Sequence, residues 1–226
     1  MENDEALMAF ISSANICCGF HAGDEQTIKN TIELCLKHQV NIGAHFSFKD
    51  KHNFGRTEMN LSREELYDLV SAQIGIMNDA TQAAGGKLTH VKPHGALYNM
   101  AARDQRLSAI ISKAVKDFND TLILFGLSGS HLISEGKAAG LNVANEVFAD
   151  RTYQDDGQLT PRSQKDAMIE GVSELKKHVL LMIGSGHVKS TNGQLIPVEA
   201  DTICIHGDGP HAIDFAKAVH GLLHDE

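Results

Sequence analysis

Of the thirteen histidines in this 226-residue chain, five stand immediately after or beside short apolar runs: His21, His45, His94, His206 and His211. A neutral imidazole can ligate a metal, carry a proton or polarise a carbonyl near neutral pH. One histidine in such a place is an ordinary hydrogen-bonding group, but five in one context point to a site. Glycines and charged residues accompany them in Gly19-Phe20-His21-Ala22-Gly23-Asp24, Gly43-Ala44-His45, Lys92-Pro93-His94-Gly95, Asp150-Arg151 and His206-Gly207-Asp208-Gly209-Pro210-His211. Asp150, Arg151 and Asp208 follow apolar runs, which makes them candidates for proton transfer or anion binding. Lys92 falls in an apolar stretch, where an ammonium needs either a carboxylate partner or an anionic substrate. Asp24 has two readings, catalysis or capping of the helix that it precedes. The remaining histidines His38, His52, His131, His178, His187, His220 and His224 fall on predicted helices or polar loops and receive no role. His90 is intermediate, because strand alternation sets it on one face with Lys92 and His94.

Residues this far apart in sequence meet only if the fold gathers the ends of many strands. Short apolar runs alternate with amphipathic stretches throughout, the pattern of successive β/α units. Strands are expected at Ala14–Phe20, Asn41–Phe46, Leu88–His94, Leu122–Leu127, Asn142–Phe148 and Thr202–His206. Helices are expected over Asp24–Lys37, from Ser62 to Ala84 with a capping box at Ser62 and Glu65, over Gln105–Lys116, Gly129–Ala139 and Lys165–Ile183, and after His211. A hairpin is expected around Thr191-Asn192-Gly193-Gln194, and the polar stretch Ala149–Ser163 reads as a long loop of the kind that often carries function. Parallel strands closing into a barrel would bring their C-terminal ends to one rim. The expectation is one α/β domain over residues 1–226, with the active site on that rim.

Composition narrows the alternatives. A net charge of −9 disfavours binding to nucleic acid and to anionic lipid. There is no apolar run of the length that a membrane span needs, and the start Met1-Glu2-Asn3-Asp4-Glu5 is acidic where a signal peptide is basic, so a cytoplasmic location is expected. Cys17, Cys18, Cys35 and Cys204 read as reduced, mostly buried thiols. The turns Gly126-Leu127-Ser128-Gly129-Ser130 and Gly207-Asp208-Gly209 precede helices and suit anions, but neither spells a Walker or dinucleotide pattern.

Five ordered segments, SANICCGFHAGD from Ser13, GAH from Gly43, HVKPHGALYN from His90, EVFADRTY from Glu146 and HGDGPH from His206, together resemble the LamB/YcsF family across nearly the whole chain. That resemblance implies a seven-stranded (β/α) barrel akin to the polysaccharide deacetylases. It also implies a place as one component of an ATP-hydrolysing 5-oxoprolinase, which opens the lactam of 5-oxoproline (pyroglutamate) to L-glutamate with partner subunits B and C; self-association into a homo-oligomer is compatible with it. On this implication the catalytic candidates are His21, His45, His94 and Asp150, with Asp208 as the alternative base. Lys92, Arg151, His206 and Asp208 would bind substrate. Related deacetylases hold a divalent metal between an Asp and two His, and His21 with His45 is the matching pair. Two further readings use the same residues: a metal-dependent deacetylase or amidohydrolase acting on a carbohydrate or small amide without ATP, and a non-catalytic subunit. Family members begin with a strand of the form Asp-Leu-Asn-Cys-Asp-Leu-Gly-Glu. The first barrel strand is therefore expected to be absent here, unless Met1 is an internal methionine.

Overall fold

Side chains that bond bare N–H groups mark where the helices begin. The computed structural model describes residues 4–224; Met1, Glu2 and Asn3 of the acidic start lie outside the described residues, as do residues 225–226. In chain order the elements are α1 (Asp4–Met8), β1 (Ser13–Cys17), α2 (Glu25–His38), β2 (Asn41–Phe46), α3 (Arg63–Ala83), β3 (Leu88–Pro93), α4 (Gly95–Arg103), α5 (Gln105–Phe118), β4 (Ile123–Leu127) and α6 (His131–Ala138). They continue as β5 (Asn142–Phe148), α7 (Val172–Ser185), β6 (His187–Lys189), β7 (Leu195–Pro197), β8 (Thr202–Cys204) and α8 (Ala212–His224). Asp24 caps α2 by accepting the Thr27 N–H at 2.8 Å, as the capping reading expects. Ser62 and Glu65 form the expected capping box at α3, with bonds of 3.2 and 2.8 Å.

Six strands share one sheet in the order β1-β2-β3-β4-β5-β8, and β6 with β7 forms a separate antiparallel hairpin. The pairings β1 with β2, β2 with β3, β3 with β4, and β5 with β8 are parallel. The fold is thus α/β with a parallel sheet, as the strand and helix alternation requires.

The chain divides into two compact units. The central unit comprises Ser12–Gly126 and Ser130–Ala144; the terminal unit comprises Met1–Ile11, Leu127–Gly129 and Asn145–Glu226. In the central unit, Ile42, Ala44 and Phe46 of β2 and Val91 of β3 are buried with Ile32 of α2, Val70, Ile74 and Met77 of α3 and Ile111 of α5. Each large apolar side chain removed from water contributes about 1.5–3 kcal/mol, so this layer fixes the strands whose ends carry the histidines. In the terminal unit, Leu7 of α1 packs on Ala212 and Ala216 of α8 beside Phe10, Ile205 and Ile213. Tyr153 is fully buried there, its hydroxyl accepting the Phe148 N–H at 2.8 Å.

Three elements differ from expectation. β1 ends at Cys17 instead of Phe20, because Gly19 takes φ +86° and turns the chain. α7 starts at Val172, not Lys165. The intervening residues turn at Lys165–Ala167, where the Ala167 N–H bonds the Gln164 carbonyl at 3.3 Å, and then run beside residues 150–152: the Thr152 and Ile169 N–H groups bond the Ala167 and Asp150 carbonyls, at 3.2 and 3.0 Å. α4 was not anticipated, and neither was α1, which is five residues long.

Candidate active site

Strand register explains why the histidines cluster. β1 and β2 pair Asn15 with Gly43 and Cys17 with His45; β2 and β3 pair Gly43 with His90 and His45 with Lys92. A bulge between Ile42 and Gly43 leaves Thr89 as the extra residue on β3 and sets this alignment. Gly43 has no side chain for a reason. A Cβ there would lie 2.1 Å from His90 Nε2, which instead passes over the glycine to Asn15 Oδ1 at 3.2 Å. His90 is stacked on Phe125 with 4.3 Å between ring centres, and its Nδ1 meets the Thr89 hydroxyl at 2.8 Å. Burial lowers its pKa to about 3, with the Lys92 charge adding to the effect. His90 is thus a bonded core residue. Lys92 is 4% exposed, and its ammonium lies 5.5 Å from the centre of the Tyr98 ring.

One step along, three imidazoles pack together. His21, carried by the Gly19–Ala22 turn, stacks on His94 with centroids 4.3 Å apart and planes at 14°. His45 meets His94 edge-on at 4.8 Å. The hydrogen bonds fix the tautomers. His45 Nδ1 faces the Lys92 carbonyl at 3.0 Å and His94 Nε2 faces the Phe54 carbonyl at 2.9 Å, so both must donate. The remaining nitrogens, His45 Nε2 and His94 Nδ1, are 3.0 Å apart, and in the neutral pair both are lone-pair atoms. One added proton would turn that repulsive contact into an N–H···N bond. Burial opposes the charge: His94 is lowered to about 3, first by burial and then by His21, and His45 is lowered well below its ordinary value by burial and by His94. His21 is lowered to about 4 by burial, is 1% exposed, and both its ring nitrogens lack a hydrogen-bond partner. A buried polar atom without a partner costs about 1–3 kcal/mol, which makes the two His21 nitrogens candidates for contact with a ligand.

The segment after β2 covers these rings. Phe54 has φ +55°, rare for an aromatic residue, and its ring lies edge-on to His21 at 5.7 Å and to His94 at 5.0 Å. Asp50 ties the segment by accepting from Asn53 N at 3.1 Å and Thr57 N at 3.3 Å, and burial, which pushes its carboxyl up, is outweighed by these bonds. Gly55 accepts the Ala96 N–H at 2.9 Å, and a Cβ on Gly95, at φ +60°, would lie 2.4 Å from that carbonyl oxygen. Gly95 is therefore required by close approach and by backbone sign alike.

The terminal unit assembles a second arrangement. Asp150 is 3% exposed and turns both carboxylate oxygens to His206 Nδ1, at 2.9 and 3.1 Å, while Oδ2 also accepts the His206 backbone N–H at 3.1 Å. Burial pushes the Asp150 carboxyl up, and the bonds and charge of His206 outweigh it, holding the carboxyl below its ordinary range. The His206 ring lies over Phe148 with 5.8 Å between centres. Arg151 is buried, donating from Nε to the Ala167 carbonyl at 3.2 Å and from Nη2 to the Thr160 carbonyl, and burial lowers it to about 10. Its guanidinium is thereby used to pin the 152–170 segment. Asp208 and His211 are exposed.

The LamB/YcsF family model matches residues 1–226. The chain belongs to the LamB/YcsF family. It is 52% identical over 222 residues to the 5-oxoprolinase A subunit of Geobacillus thermodenitrificans, covering 98% of this chain and 87% of that relative. It is 50% identical over 223 residues to the protein of the same name from Bordetella pertussis, covering 99% and 88%. A crystal structure of the lactam utilization protein from Thermus thermophilus superposes with a TM-score of 0.90 at 42% identity, covering 97% of this chain and 88% of that one.

In this LamB/YcsF chain the expected metal pair of His21 and His45 lies within one imidazole cluster, with 6.0 Å between ring centres, and among the described residues no three His, Cys, Asp or Glu side chains are grouped to hold an ion. No step is routed through a metal. The first glycine turn is taken up by the fold: Gly126 lies against Leu132 and Ile133, and Ser130 caps α6 by accepting the Ile133 N–H at 3.4 Å. No disulfide joins the four cysteines, and no helix among the described residues is long and apolar enough to cross a membrane. Four supporting residues received no role in the sequence reading: Asn15, which meets His90; Phe54, edge-on to His21 and His94; Ser47, whose hydroxyl donates to the His94 carbonyl at 3.2 Å; and Gln73, which donates to the Ser47 carbonyl at 2.8 Å. The one usable signal was Phe54-Gly55, an aromatic and a glycine in an otherwise polar stretch.

Proposed function

We propose that this LamB/YcsF chain is the A component of a 5-oxoprolinase, opening the lactam of 5-oxoproline to L-glutamate in the cytoplasm, with ATP and partner subunits B and C. The similarity to relatives of that name, over nearly the whole chain, supports the activity. In the geometry, the observation that carries the reading is His21: a buried imidazole with two unpartnered nitrogens, stacked on a histidine pair that is short of one proton.

An unactivated lactam resists hydrolysis, so its carbonyl must be polarised and a water must lose a proton as it attacks. A His21 N–H satisfies itself by donating to the lactam oxygen. The His45–His94 contact takes up the proton that the water releases and becomes an N–H···N bond. Lys92 attracts the substrate carboxylate, and Asp150, bonded to His206, is a further catalytic candidate. ATP supplies a phosphoryl group for activation of the lactam oxygen, and no residue of this chain is assigned to it.

Reconstitution tests this. The chain is mixed with both partner subunits, ATP and 5-oxoproline, and glutamate is followed. Release that needs every component is expected, with His45→Asn lowering kcat by about 10²–10⁴-fold, the range of lost acid–base assistance. Equal release without ATP or partners, abolished by a chelator, would replace this reading by the metal-dependent amidohydrolase.

A further inference from the structure

We propose that Gln73 is a positioning residue of the imidazole site, acting through Ser47 to hold the His45 and His94 nitrogens at their 3.0 Å contact. This rests on the ring-opening reading above, in which that contact takes up the proton released by water. Gln73 lies on the buried face of α3 with Leu66, Val70, Ile74 and Met77, and is itself 0% exposed. Packing alone would be served there by leucine or methionine, since a buried carboxamide must find bonds for its donors and acceptor. Gln73 finds them, two on one residue. Its Oε1 accepts the Ser47 N–H at 3.0 Å, and its Nε2 donates to the Ser47 carbonyl at 2.8 Å and to the Leu69 carbonyl at 3.1 Å.

Ser47 needs such a partner because of where it falls. The pairing of β1 with β2 ends at Cys17 and His45, and β1 then turns away at Gly19. Two residues beyond His45, the Ser47 backbone bonds a side chain of α3 where a strand would otherwise continue. The amide pair fixes the Ser47 backbone, and the Ser47 hydroxyl donates to the His94 carbonyl at 3.2 Å. The His94 N–H donates to the Phe46 carbonyl at 2.8 Å, and His45 Nδ1 donates to the Lys92 carbonyl at 3.0 Å. These bonds lace the end of β2 to the end of β3, and through Ser47 the lacing is tied to α3. Two imidazoles whose lone pairs oppose each other stay 3.0 Å apart only if the chain holds them there, and the lacing supplies that constraint. A Cβ on Gly55 would collide with the Ser47 hydroxyl oxygen, so the same group also limits how closely the covering segment approaches.

The test uses the reconstituted complex and, separately, the full chain alone. In the complex, Ser47→Ala, which removes the hydroxyl and keeps the backbone bonds to Gln73, is expected to lower kcat about tenfold, and Gln73→Met about 10–100-fold, each with KM for 5-oxoproline within about twofold of wild type. Because Gln73 acts through Ser47, the double variant should lose no more than Gln73→Met alone. In the full chain alone, the ring-nitrogen NMR signals of His45 and His94 should shift in both variants while those of His90, bonded to Thr89 and Asn15, stay in place. A merely structural role would move all three rings or none. A double variant whose loss is the product of the two single losses overturns the proposal, as does a loss that falls on KM instead of kcat, or a pair of unshifted His45 and His94 signals. If Gln73→Met does not fold, Ser47→Ala decides by itself: wild-type kcat or unmoved signals in that variant overturn the proposal. A wild-type complex that releases no glutamate sinks the ring-opening reading, and the NMR comparison then decides whether Gln73 and Ser47 hold the contact.

Discussion

At the scale of single residues, the sequence displays chemistry more readily than support. His21, His45 and His94 were legible because each follows a strand in a glycine-flanked motif, and the structure stacks or hydrogen-bonds all three. Asp150 stood out as a charge after an apolar strand, but its commitment to His206 did not, since a pairing across 56 positions leaves no local mark. Register is equally silent: in the sequence Gly43 only accompanies His45, whereas in the fold it is the gap through which His90 reaches Asn15. Gly43→Ala would put a Cβ 2.1 Å from that ring. The expected cost is about 1–3 kcal/mol, as for other overpacked cores, read from the urea midpoint of unfolding. A midpoint equal to wild type would show that the ring moves aside freely.

Elements were foreseen where one periodicity dominates. β2 and β5 match the expected residues, and α3 begins at its capping box. Ser62→Ala is expected to cost about 1 kcal/mol by thermal denaturation, the usual worth of an N-cap. The misreading of α7 has a specific cause. Ala167 and Ile169 are buried two residues apart, the spacing of an extended chain, and the apolar residues that follow in α7 extended a helical pattern back over them. The covering segment after β2 was unreadable because its order comes from Asp50, from Phe54 at positive φ and from the approach of Gly55 to Gly95. Gly95→Ala should loosen it, raising amide exchange over residues 50–57 and lowering turnover at least about tenfold through misplacement of His94. Unchanged exchange there would mean that the segment is held by other contacts.

For the molecule as a whole, the buried imidazoles set the response to acid. Unfolded, each titrates near 6.5; folded, His21 is at about 4 and His90 and His94 are at about 3. Between those values the unfolded chain binds more protons, so their contribution to stability is fully present above 6.5 and drains away as pH falls toward 4 and then 3. The lowered Asp150 carboxyl adds a loss at still lower pH. Urea midpoints measured from pH 7 to pH 4 should decline steadily, and a flat profile would contradict the neutral burial of these rings. The division into units has a different consequence, for biosynthesis. The central unit is complete once Ala144 has emerged, whereas the terminal unit unites Leu7 with Ala212 and Ala216 and so waits for α8. On the ribosome the central unit can settle while the early segment that contains α1 remains without its partner, exposing Leu7 and Phe10 to chaperones until α8 has emerged.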